Sequence, residues 1–500
     1  MTNHDTHSPL ATIFYKVKKV YFSIVFTYCA VYNRRIHSGG AFMTNHDTHS
    51  PLATEKISKL MLKMAIPSVV AQLVNLLYNI VDRIYIGHME GIGKLALTGV
   101  GICMPMIMLM NAFAMLVSAG GAPRASIAMG QGNKAQAEKT MGNCFTMLLI
   151  FGAMITAAYL IFAEDLLMMF GASVDTLPYA LSYMRIYSCG AVVVLIVMGM
   201  NTFLTSQGFT NFAMLTTVIG AVINIILDPI LIFGFDMGVR GAAIATVLSQ
   251  TVSAVWVLWF LTKGKKTLLR LRLSCMKLIP KVIGPCLLLG ISGFVMLSTE
   301  SILSICFNTS LQGYGGDLAV GSMTIITSCS QLALMPTAGI CQGCQPITSY
   351  NFGAGNSDRV KQCVKLQLMI CGGYTTVFWL ASMFAPQLFV RIFNSDAALV
   401  EHTSWALRIY MAGIFAMGFQ TTCQQCFMAL GQAAVSLLLA CLRKLILLIP
   451  LIYILPLFFA DKVFAVFLAE PVCDILAASV TVTVFFTRFN KILRDGPKRI

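Results

Sequence analysis

Apolar residues in this chain come in long unbroken runs. They do not alternate as in a half-buried strand, nor form the one-sided stripe of a soluble helix. A helix needs about 20 apolar residues to cross a bilayer core. Windows of that kind fall near 61–87, 95–121, 140–162, 179–205, 212–234 and 241–262. Six more fall near 281–306, 318–342, 362–385, 403–428, 434–459 and 463–487. The pattern predicts an all-α polytopic membrane protein with twelve transmembrane helices.

The two sets of six share a register 223 residues apart. "MRIYSCG" at 184–190 aligns with "LRIYMAG" at 407–413, and "GQGN" at 130–133 with "GAGN" at 353–356. Leu95/Leu318, Ala96/Ala319, Pro123/Pro346, Phe170/Phe393 and Gly208/Gly431 fall at the same offset. Repeats of six spans keep their orientation. The expected architecture is therefore two six-helix bundles related by a pseudo-two-fold axis along the membrane normal, the symmetry used by rocking-bundle transporters. The domains expected are an N-terminal extension over 1–54, disordered; a first bundle over 55–262; a basic linker over 263–280; a second bundle over 281–487; and a basic tail over 488–500.

Charge sets the orientation. Arg124, Lys134 and Lys139 follow span two; Lys263, Lys265, Lys266, Arg270, Arg272 and Lys277 follow span six; Arg359, Lys361 and Lys365 follow span eight. Arg488, Lys491, Arg494, Lys498 and Arg499 close the chain, while the opposite loops carry Glu90, Glu164, Asp165, Asp175, Asp236 and Asp317. Because basic loops stay cytoplasmic, both termini are expected in the cytoplasm. Only 11% of the 500 residues are charged and 57% are hydrophobic, with mean hydropathy +0.78. The net charge of +15 is thus loop charge rather than a nucleic-acid surface.

The dodecapeptide "MTNHDTHSPLAT" occurs at 1–12 and again at 43–54. Between the copies, Val20–Tyr32 is too short to span. Met43 reads as the original start, and residues 1–42 as an extension left out of the fold. The cysteines, Cys341–Cys344 and Cys423–Cys426 among them, read as small packing residues. No histidine set accompanies them, so no metal site is expected beyond one for Na⁺. No phosphate loop appears, since "KGKKT" at 263–267 lacks the first glycine and the spacing. No cofactor is expected, and no nucleophile–base or His–Asp set lies within the spans, which argues against an enzyme.

Acids inside a membrane persist where they face a cavity or a partner. Counted from the predicted span ends, Asp82 (span one), Asp228 (span five), Glu300 (span seven) and Thr246 (span six) all fall about five or six residues from the outer side, at one depth. Asn75, Tyr78 and Asp82 form a stripe at i, i+3, i+7, and Asn224 and Asp228 share a face at i, i+4. Pro229 removes a backbone donor and can free a carbonyl one turn earlier. Hard oxygens of this kind suit a small cation, and close-set carboxylates suit a proton, so the coupling ion is Na⁺ or H⁺. Arg83 points off the Asp82 face and is expected at the interface. Glu300, on a helix without a comparable stripe, lines a cavity or pairs with another helix. Gln331, Gln420 and Gln424 line a polar cavity in the second half or bond helices together.

The chain resembles the multidrug and toxic compound extrusion (MATE) family over about residues 55–490, within its MepA-like bacterial branch. The resemblance is carried by "IPSVVAQLVNLLYNIVDRIYIG" in span one, "MNTFLTSQG" in span four, "INIILDPILIFG" in span five and "GVRGAAIATVLSQ" in span six. It implies an antiporter that exports cationic or amphiphilic drugs against inward Na⁺ or H⁺. Its first-bundle ion site would be Asp82, Asn224, Asp228 and Thr246. It further implies a cavity role for Asn201 and a helix bend at Pro67. Relatives with a second-bundle ion site place acids on spans seven and ten; here Glu300 matches the first, but span ten offers only Gln420 and Gln424. The expected partners are small organic cations and the lipid bilayer, with no nucleic acid, and the chain is expected to be monomeric. The alternative function is a lipid-linked oligosaccharide flippase of the same superfamily.

Overall fold

The structure is a computed structural model, and residues 50–89, 92–264, 267–393 and 397–497 are described. The first dodecapeptide copy, most of the second, the run Val20–Tyr32, and Glu90, Lys265, Lys266, Lys498 and Arg499 lie outside the described residues.

The first bundle consists of α1 (Ile57–Gly87), α2 (Leu95–Gly130), α3 (Lys134–Met169), α4 (Leu177–Cys189 and Ala191–Ser206), α5 (Thr210–Gly234) and α6 (Gly238–Lys263). The second consists of α7 (Pro280–Gly316), α8 (Leu318–Gly353), α9 (Ser357–Phe384), α10 (Ala397–Tyr410 and Ile414–Ala429), α11 (Ala433–Leu457) and α12 (Lys462–Asp495). Among the described residues, ten of these are single helices long and apolar enough to cross a membrane, and α4 is an eleventh bent by 58°. The tenth expected span is instead two short helices joined by the 3₁₀ turn Met411–Gly413. Several helices outrun the hydropathy windows: α7 extends to Gly316, ten residues past the predicted 306. Polar side chains such as Asn308, Thr309 and Gln312 lower the hydropathy there without ending the helix. Gly316 ends it, at φ 61° and ψ −157°, a conformation open only to glycine.

The repeat is visible in the packing. Ser126 Oγ on α2 donates to the Ser206 carbonyl at 3.0 Å, and Ser349 Oγ on α8 donates to the Ala429 carbonyl at 2.8 Å. Both partners are related by the same 223-residue offset. The breaks in α4 and α10 fall at the equivalent Gly190 and Gly413. A π-helical turn follows Pro229 in α5 (Ile230–Gly234) and another lies within α11 (Leu442–Leu448).

The bundles meet along α2–α7 and α1–α8, and α2 and α8 cross at the end bearing the basic loops. A Cβ on Gly130 would collide with the Tyr350 carbonyl, and one on Gly353 with the Ile127 carbonyl. These contacts exchange partners under the pseudo-two-fold, since 127 and 130 become 350 and 353. Lipid supplies little hydrophobic drive between helices, so close backbone approach through small residues is what joins them. Gln72 Nε2 of α1 adds a hydrogen bond to Gln342 Oε1 of α8 at 3.1 Å.

One expected boundary is corrected. Pro51–Thr54, assigned to the disordered extension, is a helical turn with Leu52 buried. The Leu52 carbonyl accepts from Asn351 Nδ2 (2.9 Å) and Arg359 Nη2 (3.1 Å), so the ordered fold begins before residue 55.

Candidate functional site

In the first bundle, α1, α5 and α6 bring together four of the expected residues. Asn224 and Asp228 lie one turn apart on α5, and Asn224 Nδ2 donates to Asp228 Oδ1 at 3.2 Å. It also lies 3.4 Å from Thr246 Oγ1 on α6, whose hydroxyl donates to the Ala242 carbonyl at 3.0 Å. Asp82, five residues before the end of α1, is close enough for its charge to act on Asp228. All four are buried, at 8% exposure for Asp82, 1% for Asn224, 0% for Asp228 and 6% for Thr246. Arg83, next in sequence to Asp82, is exposed, as its helix face requires.

What this cluster leaves unmade is informative. Asp82 Oδ1, Asn224 Oδ1 and Asp228 Oδ2 are buried with no hydrogen-bond partner. Among the described residues, neither aspartate enters an ion pair. Buried acceptors without donors are costly. Three of them, from two helices, form an oxygen set suited to a small cation or to protons.

Tyrosines surround the set. Tyr78 of the α1 stripe, together with Tyr183 and Tyr187 of α4, lies within electrostatic reach of Asp82. Tyr183 and Tyr187 stack with ring centroids 5.7 Å apart. The two α4 tyrosines were not singled out in the sequence, although their i, i+4 spacing on a span was a readable signal.

Other expected residues sit elsewhere. Asn75 gives its carbonyl to Asn79 Nδ2 at 2.7 Å. Asn201 donates to the Ala213 carbonyl at 3.1 Å, and Ala213 is fifteen residues along α5 from Asp228, so the structure separates Asn201 from the acids. Pro67 lies buried within a continuous α1, and Pro229 leads directly into the π turn of α5. Gln331 is exposed.

The second bundle corrects the sequence reading most. Glu300 lies sixteen residues before the end of α7 at Gly316, not six, so the count from the helix end that put it level with the first-bundle acids does not hold. It forms an ion pair with Lys444 of α11. Arg443, the preceding residue, turns to α12. Its Nη2 lies 2.8 Å from Glu470 Oε1 and 2.7 Å from Asp474 Oδ1, and its Nε lies 3.0 Å from Asp474 Oδ1. Adjacent residues on a helix point in different directions, which lets the Arg–Lys pair address two neighbouring helices. Gln420 Nε2 donates to Gln424 Oε1 at 2.8 Å, and Gln424 contacts Met296 Sδ at 3.4 Å, beside the Lys444–Glu300 pair. Arg443, Lys444, Glu470 and Asp474 were missed, although Glu470 and Asp474 carry the same i, i+4 signature as Asn224 and Asp228. His402, one residue before the predicted window 403–428, lies in α10, which begins at Ala397, and its Nδ1 is 2.8 Å from Ser322 Oγ.

The MatE family model matches the chain twice, over residues 67–230 and 293–454, once in each bundle. The multidrug export protein MepA of Staphylococcus aureus (strain N315) is 24% identical over 424 residues, covering 84% of this chain and 92% of MepA. The Staphylococcus saprophyticus protein of that name is equally similar, at 24% over the same span. Among solved structures, a MATE crystal structure in the bent conformation superposes with TM-score 0.84 at 23% identity, covering 90% of this chain and 99% of that one. A MOP superfamily transporter from Pyrococcus furiosus, described as having a binding pocket of reverse polarity, superposes at 0.82 with 24% identity, over 90% of this chain. With both halves of the duplicated fold matched, this chain belongs to the MatE family of membrane transporters.

Proposed function

We propose that the chain is a secondary multidrug exporter of the bacterial cytoplasmic membrane. It expels cationic or amphiphilic small molecules in exchange for inward Na⁺ or H⁺ taken up at Asp82, Asn224, Asp228 and Thr246. One observation carries the reading: three buried acceptor oxygens from α1 and α5 converge without a donor or an ion pair. A mobile cation or protons supply what the fold withholds.

The positive-inside rule puts the basic loops and both termini in the cytoplasm. The Gly130–Tyr350 and Gly353–Ile127 contacts then close the cytoplasmic side, so the bundles part toward the outside. Neutralising Asp82 and Asp228 removes the cost of holding two carboxylates close together in a dry core. That change lets the first bundle repack as the two bundles rock. Pro67 and the π turn after Pro229 are the places where α1 and α5 lack part of the regular hydrogen-bond ladder. The protein acts as a monomer in the bilayer.

Proteoliposomes holding the full chain, with Na⁺ and pH gradients imposed separately, test the exchange. Ethidium transport driven by one gradient and lost in Asp82→Asn is the expected result. Wild-type rates in that variant would show that the coupling site lies elsewhere.

A further inference from the structure

Within the charged cluster of the second bundle, the Glu300 side chain is 54% exposed, while its partner Lys444 is 4% exposed. The register of α7 identifies the space Glu300 faces. Cys286, Gly290 and Gly293 lie against Gly120, Leu116 and Ala119 of α2, and Phe294 packs on Phe113 at 5.1 Å. Residues 286, 290 and 293 follow the i, i+4, i+7 spacing of one helix face, and Glu300, seven residues further, continues that stripe. The carboxylate therefore opens on the cleft between the bundles, and Lys444 reaches it from α11 behind.

Lys444 has a second place to go. Its Nζ is held by the Met296 carbonyl at 2.7 Å. Besides Glu300, its charge is felt by Glu470, whose Oε1 is taken by Arg443 and whose Oε2 is buried with no partner. One acid of the cluster thus faces the cleft with its charge matched from within, and another keeps a vacant acceptor inside the bundle.

We propose that Glu300 docks the charged end of a monocationic amphiphile, and that Lys444 is its tethered competitor, withdrawing to Glu470 Oε2 when the ligand takes its place. The exchange swaps one cation for another and leaves no buried charge unpaired, which is the condition under which such a site is affordable. It also selects. A small hydrated cation gains nothing by displacing an ammonium already in place, whereas an amphiphile adds apolar burial to the exchange. The idea rests on the export of organic cations proposed above.

Fluorescence polarisation of ethidium on the purified full chain in nanodiscs, with N-phenyl-1-naphthylamine as a neutral amphiphile, tests the latch. Lys444→Met is expected to tighten ethidium about tenfold and leave the neutral probe unchanged. Glu470→Gln removes the retreat of Lys444 and is expected to weaken ethidium by about threefold or more, again without effect on the neutral probe. A merely structural role would shift both variants and both probes the same way. In the Lys444→Met background, Glu300→Gln should erase the gain. Unchanged or weaker ethidium binding by a monodisperse Lys444→Met protein, or a gain that survives Glu300→Gln, overturns the proposal. If Lys444→Met does not purify intact, Glu470→Gln decides alone, and an equal loss for both probes or no loss overturns it. Ethidium transport by the wild type separates the two ideas. Transport without the Lys444→Met gain refutes the latch and leaves export standing, and the gain without transport does the reverse.

Discussion

At the repeat offset of 223 residues, Asp82, Asn224, Asp228 and Thr246 of the first bundle correspond to Ile305, Leu447, Leu451 and Ala469 of the second. Conversely, Glu300, Arg443, Lys444, Glu470 and Asp474 correspond to Leu77, Gly220, Ala221, Val247 and Thr251. At these positions each bundle is uncharged where the other is charged. Both keep the tyrosine of the shared "RIY" beside their acids: Tyr187 near Asp82, and Tyr410 near Glu470 and Asp474. Among the described residues, Asp82 and Asp228 of the first bundle pair with no cation. The second carries its own arginine and lysine. A duplicated scaffold can therefore hold, at related places, acids left without a base and acids matched by an internal one.

The sharpest way to break this contrast is to remove one charge from each bundle. Asp82→Asn or Asp228→Asn should reduce ethidium efflux from proteoliposomes to that of empty vesicles, with normal insertion and an unchanged or higher melting temperature. Arg443→Met should do the opposite to stability. It strands Glu470 and Asp474 in the core, which costs about 3–5 kcal/mol and lowers the melting temperature and yield of the purified protein. Similar melting temperatures for Asp228→Asn and Arg443→Met would erase the distinction. A smaller effect is expected from Gly130→Val, whose side chain meets the Tyr350 carbonyl. It should part the basic-loop ends of α2 and α8, seen as a longer spin-label distance between them. The smallest comes from Ser126→Ala and Ser349→Ala. These should cost the same, about 0.6 kcal/mol each, if the scaffold is as symmetric as its hydrogen bonds. Unequal losses would show that the shared framework has diverged along with the sites.

The repeat was legible from a constant offset of 223 residues, and the first-bundle set from the i, i+4 spacing on α5, a common count from the span ends and the resemblance to the MATE family. Asn224 and Asp228 on one face, and Asp82 five residues from a helix end, survive any reasonable placement of the spans. Depth was less legible. Hydropathy ended span seven at 306, but a helix needs only its backbone bonds to continue to Gly316, so Glu300 fell at the wrong level. The Arg443–Lys444 pair was hidden by the strong apolar run around it. Its meaning depends on acids 27 and 31 residues away on α12 and on Glu300 of α7, a neighbourhood that only packing creates. The four-residue turn Pro51–Thr54 was obscured by belonging to a repeated peptide, though its Leu52 carbonyl accepts from both Asn351 and Arg359.

The crossing of α2 and α8 carries a consequence for membrane energetics. Its two contacts are backbone on backbone and are images of one another, so neither can loosen by a side-chain rotation while the other stays shut. They part together or remain together. A carrier whose two ends opened independently would at times form a continuous pore and discharge the ion gradient that drives it. Under the exchange proposed above, Gly130 and Gly353, by admitting no side chain between the helices, would tie the two contacts together and guard the cell against that short circuit.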